Sequence, residues 1–164
     1  MTKLPYDVVE IDEDHVVATG HNLLFMVWRR RTLAAAFRRA TAAMKTLAIR
    51  SPGGIGVCQV VELESVPPDN EARTAFQEYL RLPDVSHGTL IHEGAGFKAA
   101  SVRAVMAGVM ALARPAFKLN ICSSVAEATR FHAQMLEKQG RRETADQIAA
   151  TVDALRALHR ERYP

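Results

Sequence analysis

The sequence predicts one α/β domain: a mostly parallel mixed sheet, opened by an N-terminal β-hairpin and covered by helices. Three observations carry this. Short Val-, Ile- and Leu-rich runs that are apolar on both faces recur along the chain, as interior strands do. Segments with an apolar stripe at helical spacing stand between them. Proline and glycine clusters mark the changes from one to the other. Alternation of this kind favours parallel strands joined by right-handed crossovers.

Residues 8–11 and 15–18 flank the acidic turn Asp12-Glu13-Asp14 and read as the hairpin. Gly20-His21-Asn22 breaks the path, and residues 23–28, Leu-Leu-Phe-Met-Val-Trp, follow as an interior strand. Thr32 is positioned to cap the next helix, whose stripe is Leu33, Phe37, Ala40, Met44 and Leu47, and Ser51-Pro52-Gly53-Gly54 ends it. A second buried strand at 55–63 carries Cys58. Pro67-Pro68-Asp69-Asn70 introduces a shorter helix with Ala72, Ala75, Phe76, Tyr79 and Leu80 inward, and Pro83 stops it. A short strand covers 88–92, and Gly94-Ala95-Gly96 turns into a third helix at 97–114, almost wholly Ala, Val, Met and Leu. A helix apolar nearly all round should be largely buried, with Gly108 against a close backbone. Pro115 closes it, and residues 117–122 form the last strand. Ser124 with Glu127 reads as a capping box for a helix ending near Gly140. Residues 141–162 make a further amphipathic helix striped by Ile148, Val152, Leu155 and Leu158. The order sums to hairpin, α, β, α, β, α, β, α and one appended helix. The core is expected at 1–139 and the appended helix at 140–164 of the same domain.

The totals fit. A chain of 164 residues, 48% hydrophobic and 24% charged, is ordinary for one globular domain and excludes a disordered one. Its apolar runs are short and interrupted, so no transmembrane helix is expected. The opening Met1-Thr2-Lys3-Leu4-Pro5 lacks a secretory h-region, so the expected compartment is the cytoplasm. Cys58 and Cys122 fit no CxxC pattern and are expected as reduced, buried thiols. The net charge of +3 is unevenly spread. Asp7, Glu10, Asp12, Glu13 and Asp14 cluster early, whereas no acid occurs between His15 and Val61 or between Gly94 and Ala126.

The element order, the closing segment Ile121-Cys122-Ser123-Ser124-Val125-Ala126-Glu127-Ala128, and the stretch from Glu93-Gly94-Ala95-Gly96-Phe97 through Val102-Arg103-Ala104-Val105 together resemble the STAS domain. That domain occurs in anti-sigma-factor antagonists, sulfate transporters and STAS-like bacterial proteins. The likeness covers about residues 7–139 and rests on order. It implies a regulatory module that acts by binding a protein, and a topology shared with CRAL-TRIO lipid-transfer domains, whose ligands occupy an apolar cavity. In partner-switching members a phosphorylatable Ser follows the central strand. Here that junction is Glu62-Leu63-Glu64-Ser65-Val66-Pro67-Pro68. Ser65 is the nearest candidate, but its neighbours depart from the pattern and a phosphate would sit beside two acids.

Other candidates follow from residue chemistry. Gly94 and Gly96 open a helix whose N-terminus could take an anion, with Lys98 and Arg103 adding charge. The GxGxxG dinucleotide pattern is not completed there. Arg31, Arg38 and Lys45 form a basic face, but without interleaved aromatics it is a poor nucleic-acid surface. His87, His92 and Glu93 are too few and too divergent for a zinc site; these and His15, His21, His132 and His159 are expected on the surface or in loops. Cys122, at a strand end, reads as the more exposed thiol. No catalytic residue, metal or cofactor is assigned.

Function therefore stays open among three classes. A non-enzymatic regulatory or scaffold module binding a protein partner leads. Next comes a binder of an acyl, lipid-like or anionic metabolite held between the sheet and the third helix, where Met106 and Met110 suit an adaptable cavity. An enzyme using the rim near Gly94 is third. The last helix packs either on its own domain or on a second copy, giving a homodimer.

Overall fold

Six strands hydrogen-bond in the same order as they occur in the chain. In this computed structural model, which describes residues 5–164, β1 (Tyr6–Ile11), β2 (His15–Gly20) and β3 (Leu23–Trp28) form an antiparallel meander. The parallel part continues through β4 (Ile55–Val61), β5 (Val85–Ile91) and β6 (Lys118–Cys122). Three strands thus precede the first helix, one more than the hairpin alone. β3 is the pivot: it pairs antiparallel with β2 and parallel with β4. Met1 to Leu4, on which the leader-free reading partly rests, lie outside the described residues.

Crossovers that step repeatedly in one direction with one hand deliver their helices to one face. α1 (Ala34–Ala48), α2 (Asn70–Tyr79) and α3 (Gly96–Ala113) occupy that face, while α4 (Val125–Lys138) and α5 (Ala145–Arg162) cover the other. Side-chain alternation along β3 makes the division plain. Leu24, Met26 and Trp28 join Phe37, Met44 and Tyr79 in one core. Leu23, Phe25 and Val27 join Leu136, Ile148, Val152 and Leu155 in the other.

Helix ends follow local chemistry. The Asp69 side chain accepts the Ala72 N–H at 2.8 Å and starts α2. Thr144 and Gln147 form a full capping box for α5. Two expected caps are corrected. The cap of α1 is Leu33 with no side-chain bond, since its carbonyl takes the first helical N–H groups, and Thr32 stays outside. Ser124 does cap α4, but the Glu127 carboxylate takes the Ser123 N–H, one residue outside the box expected.

Three larger findings concern burial. The α5 stripe takes the first of its two expected placements, on its own domain: Ile148, Val152 and Leu155 are fully buried in their own chain. Arg156 of the same helix holds Glu62 through two bonds of 2.6 and 2.8 Å and reaches Glu93 at 2.5 Å. The apolar side of α5 is thus spent within the chain. The third helix is the reverse case. Only Ala99, Met110 and Ala113 of α3 are buried, and nothing lies near Gly108. The histidines, finally, are interior: His15, His87, His92, His132 and His159 are all buried. His15 and His87 sit on strands and His132 and His159 on inward helix faces, while His92 lies in the loop just past β5 as a loop placement would have it, though buried; Cys122 is buried likewise.

His87 and His132 face one another beneath α4, ring centroids 5.1 Å apart. Ser86 Oγ bonds His87 Nδ1 at 2.8 Å, and Thr89 Oγ1 bonds His132 Nε2 at 2.8 Å. Burial pushes His87 down to about 4 and His132 well below the ordinary imidazole value. Both imidazoles are neutral in the folded chain at neutral pH. Below pH 6.5 the unfolded chain takes up protons that the folded one refuses, so stability falls as pH drops from 6.5 towards 4. His87 alone should cost roughly 3 kcal/mol by pH 4. Urea titrations at pH 7.5, 5.5 and 4.5 will read this; His87→Asn should flatten the slope.

Candidate functional site

Two helices that meet and one that stands off define the site. α1 and α2 close over β3 and β4 through Trp28, Phe37, Phe76 and Tyr79; the Trp28–Phe37 and Phe37–Phe76 centroids lie 4.9 and 5.2 Å apart. α3 packs only along its inner edge, and the crossover from β4 to α2 carries Pro67-Pro68, which cannot fold down as helix. Between these parts lies a cavity of about 340 Å³, inside the range of small-molecule pockets. Trp28, Val61 and Leu90 form its sheet wall, Phe37 and Phe76 one flank, and Val105, Met106, Val109 and Met110 the other.

The lining is apolar with a few polar groups at defined points. Trp28 Nε1 donates to Gln59 Oε1 at 3.1 Å, which fixes the amide and turns its NH2 away. That Gln59 Nε2 is buried and without a partner, and Ser65 Oγ is in the same state. Both residues line the cavity, as does Thr32. Buried donors usually find acceptors; these two atoms lie just behind the cavity wall, so an acceptor-bearing guest would meet them after a side-chain rotation. Arg73 is the charged residue among the lining side chains, its Nε donating to Pro68 O at 3.1 Å.

The residues singled out from sequence fall in different places. Ser65 sits on the cavity wall, its hydroxyl out of solvent and its N–H bonded to Glu62 O at 3.1 Å. Gly94 and Gly96 do take positive φ, +111° and +88°. Arg103, however, is turned to the loop itself, donating to His92 O at 2.9 Å and Gly94 O at 3.2 Å. Lys98 is exposed one turn away from that bond. The basic face is largely paired: Arg31 grips Asp14 with bonds of 3.0 and 2.7 Å, and Arg38 meets Glu71 at 2.8 Å. Burial alone would raise the Asp14 carboxyl, but Arg31 outweighs it and holds the group below its usual range. Lys45 remains an exposed cation of α1.

Among the described residues, Glu10, Asp12 and His15 bring possible metal-ligand atoms within 4.8 Å of one another. Each carboxylate is committed elsewhere. Asp12 Oδ1 accepts the Asp14 and His15 N–H groups, at 2.8 and 3.0 Å, and Glu10 is held by Arg39. Their arrangement therefore serves the hairpin. The thiols offer no nucleophile: burial pushes Cys58 up to about 12 and Cys122 up to about 11. Sequence reasoning missed Gln59, Trp28 and Thr32 as site residues. A polar Gln in the middle of a Val-rich strand was the available signal.

The chain matches no family model, and neither the curated proteins nor the solved structures yield a match.

Proposed function

We propose that this protein is a binding module for one acyl or lipid-like ligand carrying a hydrogen-bond acceptor, such as a carboxylate or ester carbonyl. The observation that carries the reading is the apolar cavity under Met106 and Met110, lined by Gln59 and Ser65 whose unpartnered Nε2 and Oγ lie just behind its wall. The chain of the ligand lies against Phe37, Phe76 and the methionines, and the Gln59 and Ser65 side chains turn their free donors to its acceptor. Arg73 at the lining favours an anionic head. A regulatory role with a protein partner, and the STAS-like kinship, are proposals that rest on element order.

Trp28 is the chain's one tryptophan and lines the cavity, so the protein carries its own reporter. Decanoate bearing a terminal bromine should quench Trp28 saturably, and native mass spectrometry should retain one ligand. Ser65→Ala is expected to weaken binding by about ten-fold through loss of one hydrogen bond. Val109→Phe, which fills the space, should abolish quenching. Absence of both quenching and retained mass over a series of chain lengths would overturn the reading.

A further inference from the structure

We propose that the outer face of α3 docks in the plane of an anionic lipid bilayer, with the cavity mouth turned toward the lipid. The helix has a mean hydropathy of 1.3, yet only 17% of it is buried. A helix apolar all round normally has a cover on every side, and this one has a cover on one. Phe97 is 90% exposed, Val105 68% and Leu112 84%. Spaced eight and seven residues apart, they share the side opposite Ala99, Met110 and Ala113 and run for about 22 Å. Leu63 and Val66 of the neighbouring crossover extend the patch as exposed side chains. Scattered exposed apolar residues are ordinary; a continuous row along one helix marks an interaction surface.

Two features select a bilayer over a protein. The exposed residues between those three are Lys98, Ala100, Ala104, Ala107, Gly108 and Ala111, with half-exposed Ser101 on the same side. Beyond Lys98 near the helix start and the single Ser101 hydroxyl, the exposed stretch offers no side-chain donor or acceptor, whereas protein interfaces carry about one hydrogen bond per 100–200 Å². Charge is the second feature. No Asp or Glu occurs from Gly94 to Ala126, and the exposed cations Lys98 and Arg114 stand at the two ends of the helix, with Lys118 beyond. An apolar row flanked by cations matches the acyl region and anionic headgroups of one leaflet.

The contact is peripheral. α3 joins β5 to β6, which are adjacent parallel strands, and Arg103 fastens its first turns to the β5 end. Val105 connects the two surfaces, since it lines the cavity and also faces outward. The docking goes beyond ligand binding and stands without it.

Flotation with vesicles of phosphatidylcholine and phosphatidylglycerol in equal parts, against phosphatidylcholine alone, tests the proposal. The protein should float with the anionic vesicles and be released by high salt. Phe97→Glu combined with Leu112→Glu, both at exposed positions, should reduce partitioning by about ten-fold or more with an unchanged circular dichroism spectrum. Val109→Phe should leave flotation intact while removing ligand retention, so loss of either property identifies which reading has failed. No flotation, equal flotation with neutral vesicles, or a double variant that floats like the parent would overturn it. So would a dimer that the double variant dissolves, which would assign the face to a second copy.

Discussion

Replacing Trp28 with alanine is expected to lower the unfolding free energy by about 3–5 kcal/mol, as for other fully buried large aromatics. Trp28 is 1% exposed and holds the sheet wall between Phe37 and His15, with ring centroids 4.9 and 5.4 Å away. Its removal opens space beside a cavity that already exists, so collapse onto the gap is hindered from that side. It also orphans both ends of the Gln59 amide, which is 1% exposed. Trp28→Phe keeps most of the packing and loses only the N–H bond, for about 1–2 kcal/mol. Denaturant unfolding followed by far-ultraviolet circular dichroism reads both, because neither variant keeps the indole. A loss below 1 kcal/mol for the alanine variant would mean that α1 is not seated on this ring.

A chain ending at Gly140 is expected not to fold. The truncation strips Ile148, Val152 and Leu155 from the second core, each at 0% exposure. Burying each such side chain is worth about 2 kcal/mol, and cavity effects add more. It also removes Arg156, leaving the half-buried Glu62 without the guanidinium that outweighs its desolvation. Breaking such a pair from one side costs a few kcal/mol by itself. Together these losses approach the whole stability of an ordinary domain, about 5–15 kcal/mol. Loss of the cooperative melt and appearance of dye-binding apolar surface are the expected signs. A truncated chain with a sharp transition near that of the full one would show α5 to be an ornament.

The strands and helices were legible because periodicity and punctuation act locally. Leu23 to Trp28 is apolar at every position, and its six-residue length between the Gly20-His21-Asn22 break and the arginines fits a strand covered on both sides. Asp69 and Ser124 announce their helices by side-chain chemistry alone. Burial of α3 was not legible, because composition records what a helix could bury and not whether a second layer exists to cover it. The histidines misled for a related reason. Their polarity points outward, yet His87 and His132 satisfy one nitrogen each through Ser86 and Thr89 and then tolerate the interior as neutral rings. The cavity belongs to no residue. It arises where α3 fails to meet α1 and α2; Met106 and Met110 marked its helix side in the sequence, and Gln59, a lone amide in a run of Val, marked its sheet side.

The sequential strand order has a consequence for how the chain is made. Every strand pairs with the one synthesised just before it, so the sheet can grow from its first edge as residues leave the ribosome, with no strand waiting for a distant mate. The cover of its second face arrives in the opposite manner. Ile148, Val152 and Leu155 reach back to the core formed by β2 and β3, more than a hundred residues earlier. Until α5 emerges, α4 covers only the β5 and β6 side of that face and the apolar surface of β2 and β3 stays bare, and chaperones have their longest opportunity in that interval.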